Sequence, residues 1–201
     1  RILGWILFHT LRKRRNDTLR DLHHSFEDKD EAWRISILKE HCRRLIEMGL
    51  YILAAPYLSR NRLQNILLPL DDINIARFDD LAERGPALFL SPHLTLSEAI
   101  LTLPLHHPKV AGNVSVIFRP LDNRKLNELV TEGRERLGVE LLSRKNGYSL
   151  AIKRLQAGKS VALLFDQHAA GKGSLIHFMD RFVSATELPG ILAHKVDART
   201  Y

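Results

Sequence analysis

From Glu31 to Leu58 the apolar positions Ile35, Leu38, Cys42, Leu45, Gly49 and Ile52 recur at steps of three and four. That is the period of a helix burying one stripe, and Arg43, Arg44 and Glu47 fall off it. After Gly85-Pro86 the pattern changes to short apolar runs alternating with helical segments. Ala87 to Ser91, Val114 to Phe118, Glu140 to Leu142 and Val161 to Phe165 read as buried strands. Asn123 to Leu137 and Tyr148 to Ala157 read as helices that stop at Gly138 and Gly158, where a left-handed cap favours glycine. Glu187 to Ala198 is again helix-like. This alternation predicts an α/β fold with a mostly parallel sheet flanked by helices, whose ligands gather beyond the carboxyl ends of the strands. The chain divides into a helical arm over residues 1–60 and an α/β domain over 61–201.

The arm opens on the apolar run Ile2 to Phe8, followed by Arg12, Lys13, Arg14 and Arg15. The run is far shorter than the roughly 20 residues of a membrane-spanning helix. Trp5 and Phe8 ahead of a basic cluster fit a helix meeting anionic headgroups, which an upstream segment would complete as an anchor; an ordinary helix with a solvated basic end fits equally. The whole chain has 30 Lys and Arg against 23 Asp and Glu, a net charge of +7. Residues 1–60 carry 12 basic and 8 acidic side chains, residues 61–118 carry 4 and 6, and residues 119–201 carry 14 and 9. The excess therefore lies at the two ends, which suits an anionic partner. At 7% aromatic and without a reading helix, the chain shows no nucleic-acid module. One cysteine, Cys42, excludes an internal disulfide and a cysteine-based zinc cluster.

Three strand ends carry polar residues that a core would not require: Ser91-Pro92-His93, Arg119-Pro120 and Asp166-Gln167-His168. His93 and Glu98 form the sharpest pair. A five-residue step on one α-helix turns about 500°, which points the two side chains apart. His93 is therefore expected on the loop leaving its strand, with Glu98 in the following helix turning back to meet it. Such a pair makes a general base, the carboxylate orienting the imidazole. Thr95 or Ser97 is a candidate cap of that helix. The bland alternative is a loop histidine and a carboxylate favoured in a first helical turn. Gly158-Lys159-Ser160 lacks the first glycine of a phosphate loop and precedes a strand, so it is rejected as one. Gly171-Lys172-Gly173 reads as a loop, either near a substrate phosphate or as a solvated turn. His23-His24 and His106-His107 lack a third ligand at useful spacing, and no metal site is expected.

Five blocks in order resemble the bacterial lipid A biosynthesis acyltransferase family, the lauroyl and myristoyl transferases and their relatives acting on mannosylated lipids. They are His93 with Glu98 as the family's HX4(D/E) motif, Ile117 to Asn123, Arg134 to Gly138, Leu164 to Gly173 and Phe178 to Thr186. The resemblance implies a glycerolipid-acyltransferase-like fold preceded by a membrane-associating helix, with further C-terminal elements beyond Tyr201. It implies transfer of a fatty acyl chain from acyl carrier protein or coenzyme A, as co-substrate and without another cofactor, to a hydroxyl of a membrane lipid. The expected place is the cytoplasmic face of a bacterial inner membrane, on an anionic surface. By position, His93 would be general base and Glu98 its orienting partner, with Arg119, Asp166 and Gln167 binding substrate. Backbone N–H groups after His93, or Arg119, would stabilise the oxyanion. The run Leu94-Thr95-Leu96-Ser97 departs from the small or polar run, ending in an aromatic, that the family often has there. A glycerophospholipid acyltransferase is the neighbouring alternative, and Asp166 to Gly171 stands where those enzymes carry a Pro-Glu-Gly-rich block. A catalytically silent membrane-binding module is the alternative from another class.

Overall fold

The computed structural model describes residues 1–66, 85–94, 97–107 and 110–201. The arm is built from α1 (Ile2–Thr10), α2 (Arg12–Ser25) and α3 (Glu31–Ala54). Asp30 caps α3 by accepting the Trp33 N–H at 2.7 Å. Phe8, Leu38 and Cys42 form a small core between these helices. At Gly4, α1 lies so close to α3 that a Cβ would sit 2.8 Å from the Arg43 backbone. A turn at Ala55–Tyr57 and α4 (Arg60–Ile66) follow. Arg136 ties this turn to the body, its guanidinium donating to the Pro56 carbonyl at 2.6 Å and to that of Leu58.

The body holds strands β1 (Ala87–Ser91), β2 (Val114–Phe118), β3 (Glu140–Ser143), β4 (Ser160–Leu164) and β7 (Arg199–Thr200) in the order β3-β2-β4-β1-β7, with parallel pairing throughout. The four predicted strands are all present, and the mostly parallel α/β reading holds. Helices α6 (Arg124–Glu135), α7 (Gly147–Gln156) and α8 (Leu188–Val196) make the crossovers. Gly138 and Gly158 take φ of +95° and +78°, the left-handed conformation expected at those helix ends.

Alternation along the strands divides their side chains between two cores. On one face Leu88, Leu142, Val161 and Leu163 pack with Ala151 and Leu155 of α7 and Leu192 of α8. On the other, Val116 and Leu141 pack with Ala55, Leu101, Leu137 and Val139. The helix α3 therefore runs from the arm's own core to an end packed on the sheet domain. The segment 67–84 between arm and body, and Thr95, offered above as a cap, lie outside the described residues.

Two local features differ from expectation. After His93 the chain makes a 3-10 turn over Ser97–Thr102 and then a single α-turn, α5 (Leu103–His106), in place of one helix. Pro104 lies in the first turn of α5, where its missing N–H and fixed φ are tolerated, and this marks a fresh start. Residues 174–185 form an antiparallel hairpin, β5 (Ser174–Phe178) and β6 (Arg181–Ala185). Its turn residues Met179 and Asp180 both have positive φ, the conformation of hairpin turns that usually advertise themselves as Asn-Gly or Asp-Gly.

Candidate active site

Sheet register assembles the site. β1 and β4 are neighbours with Ser91 paired to Leu164, so His93 and Asp166 each stand two residues beyond the same rung. The Asp166 carboxylate grips His93 twice. Oδ2 accepts the His93 backbone N–H at 2.8 Å, and Oδ1 lies 2.5 Å from the ring Nδ1. Partial burial pushes the Asp166 carboxyl up, but the hydrogen bonds from the His93 ring, the His93 N–H and its own N–H outweigh it and hold it below the ordinary aspartate value. An ionised carboxylate only accepts, so the proton belongs on Nδ1 and the lone pair on Nε2. Both side chains are about one-third exposed, within reach of a substrate.

The carboxylate on His93 is thus Asp166, 73 residues away in sequence, and the expected contact with Glu98 is replaced by another. Glu98 lies on the 3-10 turn, and Arg134 of α6 meets it with both ends of a guanidinium fork: Nε to Oε2 at 3.0 Å and Nη2 to Oε1 at 2.5 Å. Each side chain of this pair is only 19% exposed. The physical reason is direction. The turn carries Glu98 toward α6, while adjacency of β1 and β4 has already supplied His93 with a carboxylate. Arg134 stands in a block that the family resemblance singled out, but spacing alone gave no sign of its partner.

His93, Glu98, Arg119 and Gln167 nonetheless line one cleft of about 440 Å³ at the carboxyl edge of the sheet, joined by Arg134 and Arg144. Of the anticipated site residues, Asp166 is the one that stands behind this surface, on His93. Arg144 is an additional cation, one residue past β3. An apolar cavity of about 200 Å³ adjoins the cleft, sharing Leu101, Val116 and Ala162 as walls and reaching Val139 and Gly158 at the opposite end of the strands. The backbone N–H groups expected as oxyanion donors fall partly on residues 95–96, outside the described residues. Those of Leu94 and Ser97 donate to the carbonyls of Pro92 and Leu94. Among the described residues no cluster of His, Cys, Asp and Glu is arranged to hold a metal ion.

A histidine held by a carboxylate at the carboxyl edge of a parallel sheet, beside an apolar cavity, gives this α/β protein a group able to take a proton. The family model for bacterial lipid A biosynthesis acyltransferase matches residues 1–200, and the chain belongs to that family. It is an acyltransferase by family. No curated protein matches the chain.

Proposed function

We propose that the chain moves a fatty acyl group from a thioester, carried by acyl carrier protein or coenzyme A, to a hydroxyl of a membrane glycolipid such as a lipid A precursor. The observation that carries this reading is the His93–Asp166 pair, its histidine lining a cleft that shares Leu101, Val116 and Ala162 as walls with an apolar cavity. Nε2 of His93 takes the proton of the acceptor hydroxyl as its oxygen attacks the thioester carbonyl carbon. The negative charge on Asp166 stabilises the imidazolium. The tetrahedral oxyanion collapses, the C–S bond breaks, and the leaving sulfur takes the proton back from His93 Nε2, so that a thiol is released and the neutral base is restored. Arg119 lines the same cleft and is suited to an anionic part of the substrate. The apolar cavity accepts the acyl chain. Glu98 with Arg134 holds the turn on one side of the cleft, and Gln167 lines it as well.

The arm supports the proposed site of action, the cytoplasmic face of the inner membrane. Among the described residues no helix is long and apolar enough to cross a bilayer. Ile2, Leu3, Trp5 and Ile6 of α1 are exposed next to the basic start of α2, a pattern that lays a helix on an anionic lipid surface. Incubating the protein with acyl thioesters and a lipid extract, and identifying the new lipid by mass spectrometry, tests the reaction. Thiol release that needs the added lipid and vanishes in His93→Ala is expected; wild-type release in that variant refutes the assignment. Stronger sedimentation with anionic than with neutral vesicles is expected at low salt, and equal binding refutes the charge argument.

A further inference from the structure

The register that joins His93 to Asp166 has a counterpart on the other side of the sheet edge. β2 and β3 pair with Phe118 opposite Ser143, so Arg119 and Arg144 are the next residues on neighbouring strands. The Arg144 N–H continues the ladder by donating to the Phe118 carbonyl at 2.9 Å. Both side chains line the cleft. The third arginine there, Arg134, is neutralised by Glu98. Among the described residues Arg119 has one carboxylate within 4.0 Å, Asp122 at 3.9 Å and itself 96% exposed, and Arg144 has none. Among the described residues the β2–β3 end of the cleft therefore carries two guanidinium groups without a close carboxylate, Arg144 with none and Arg119 with only the solvated Asp122, while Glu98 is taken by Arg134 and Asp166, behind the cleft, by His93.

We propose that Arg119 and Arg144 form a clamp for a phosphate ester borne by a substrate. Guanidinium forks match phosphate oxygens in shape and charge, and two side by side suit a dianion. At a strand spacing of about 4.8 Å, β2 lies roughly 10 Å and β3 roughly 14 Å from β1 along the sheet edge. The clamp thus holds a group remote from the reacting hydroxyl, where binding energy orients the substrate against His93. This inference rests on the transferase reading above. Phosphate could arrive on either substrate, as the phosphopantetheine of the donor or as a phosphorylated headgroup of the acceptor.

The test compares wild type with Arg119→Ala, Arg144→Ala and Arg144→Lys. One arm uses dodecanoyl-coenzyme A against dodecanoyl-pantetheine, and the other a phosphorylated glycolipid acceptor against its dephosphorylated form. Losing one charge-assisted phosphate contact should raise KM for the phosphorylated member of one pair about tenfold to a hundredfold in either alanine variant. The preference for phosphorylated over phosphate-free substrate should collapse by the same factor, with the loss falling on KM more than on kcat. Lysine should restore part of it, since it supplies charge without the fork. Raising ionic strength from about 0.05 M to about 0.5 M should weaken wild type more than Arg144→Ala. The pair that responds identifies the source. Variants indistinguishable from wild type, or equal losses with phosphorylated and phosphate-free substrates in both arms, overturn the clamp. A wild-type protein without transferase activity refutes the reading above instead. The clamp is then judged by calorimetric titration with coenzyme A and with the phosphorylated glycolipid: tenfold weaker binding in Arg144→Ala supports it, and unchanged or absent binding in wild type overturns it.

Discussion

Asp166→Asn preserves the shape of the group behind His93 and removes its charge. In the wild type the two carboxylate oxygens accept from His93 at 2.8 Å and 2.5 Å. An asparagine has one acceptor oxygen and can satisfy one of these donors. If that oxygen keeps the backbone N–H, the amide NH2 faces Nδ1, Nδ1 must accept, and the ring proton moves to Nε2, where the hydroxyl proton has to go. If it turns to Nδ1, the tautomer survives but the imidazolium loses its counter-charge. Either way the base is impaired, and comparable tautomer losses cost roughly a thousandfold to ten-thousandfold in kcat, about 4 to 5.5 kcal/mol of barrier. The assay is acceptor-dependent thiol release, with circular dichroism verifying the fold. His93→Ala should lose at least as much, and His93→Ala combined with Asp166→Asn no more than His93→Ala alone, because the two act as a unit. An Asp166→Asn enzyme within tenfold of wild type, beside a thousandfold loss in Glu98→Gln, would refute the pairing and return Glu98 to that role.

Removing either member of the Glu98–Arg134 pair strands a mostly buried charge and should cost about 3 kcal/mol, a drop of roughly 6 to 12 °C in Tm for a chain of this size. Replacing both by Leu should cost less than either single change, which calorimetry can decide. Gly133→Ala should destabilise α6 although alanine is the better helix former by about 1 kcal/mol. Its Cβ would stand 2.5 Å from Pro56 Cγ, and a higher Tm would refute that contact. Ala162→Phe, placed in the wall shared by cleft and cavity, should shift donor preference toward shorter acyl chains in competition assays; an unchanged chain-length profile would exclude the cavity as the acyl site. Glu140 is held below the ordinary glutamate value by the Arg154 guanidinium, helped by the Ser115 hydroxyl and opposed by partial burial. Its contribution to stability is therefore complete above about pH 4.3 and fades as pH falls through the depressed folded value. Urea titrations of wild type and Glu140→Gln should accordingly converge at acid pH.

Periodicity was enough for the parts whose packing is local. The stripe from Ile35 to Ile52 marked α3, four apolar runs marked the main strands, and Gly138 and Gly158 marked helix ends, because each signal resides in neighbouring residues. The hairpin at 174–185 escaped: its strands are largely exposed, so no alternation marks them, and Met179-Asp180 is not a recognisable turn pair. The site was half legible. Polar residues at strand ends pointed to His93, Arg119, Asp166 and Gln167, since a core has no use for them there.

Which of those residues touch is a property of strand order. The sequence by itself determined the α/β class, the arm and the edge on which chemistry collects. Only the tertiary structure decided that β1 lies beside β4 and β2 beside β3. That adjacency puts Asp166 on His93 and Arg119 next to Arg144, and leaves Glu98 to Arg134. Near-neighbour spacing suggested the His93–Glu98 pair, but hydrogen bonds between strands separated by some seventy residues carry no mark in the local sequence.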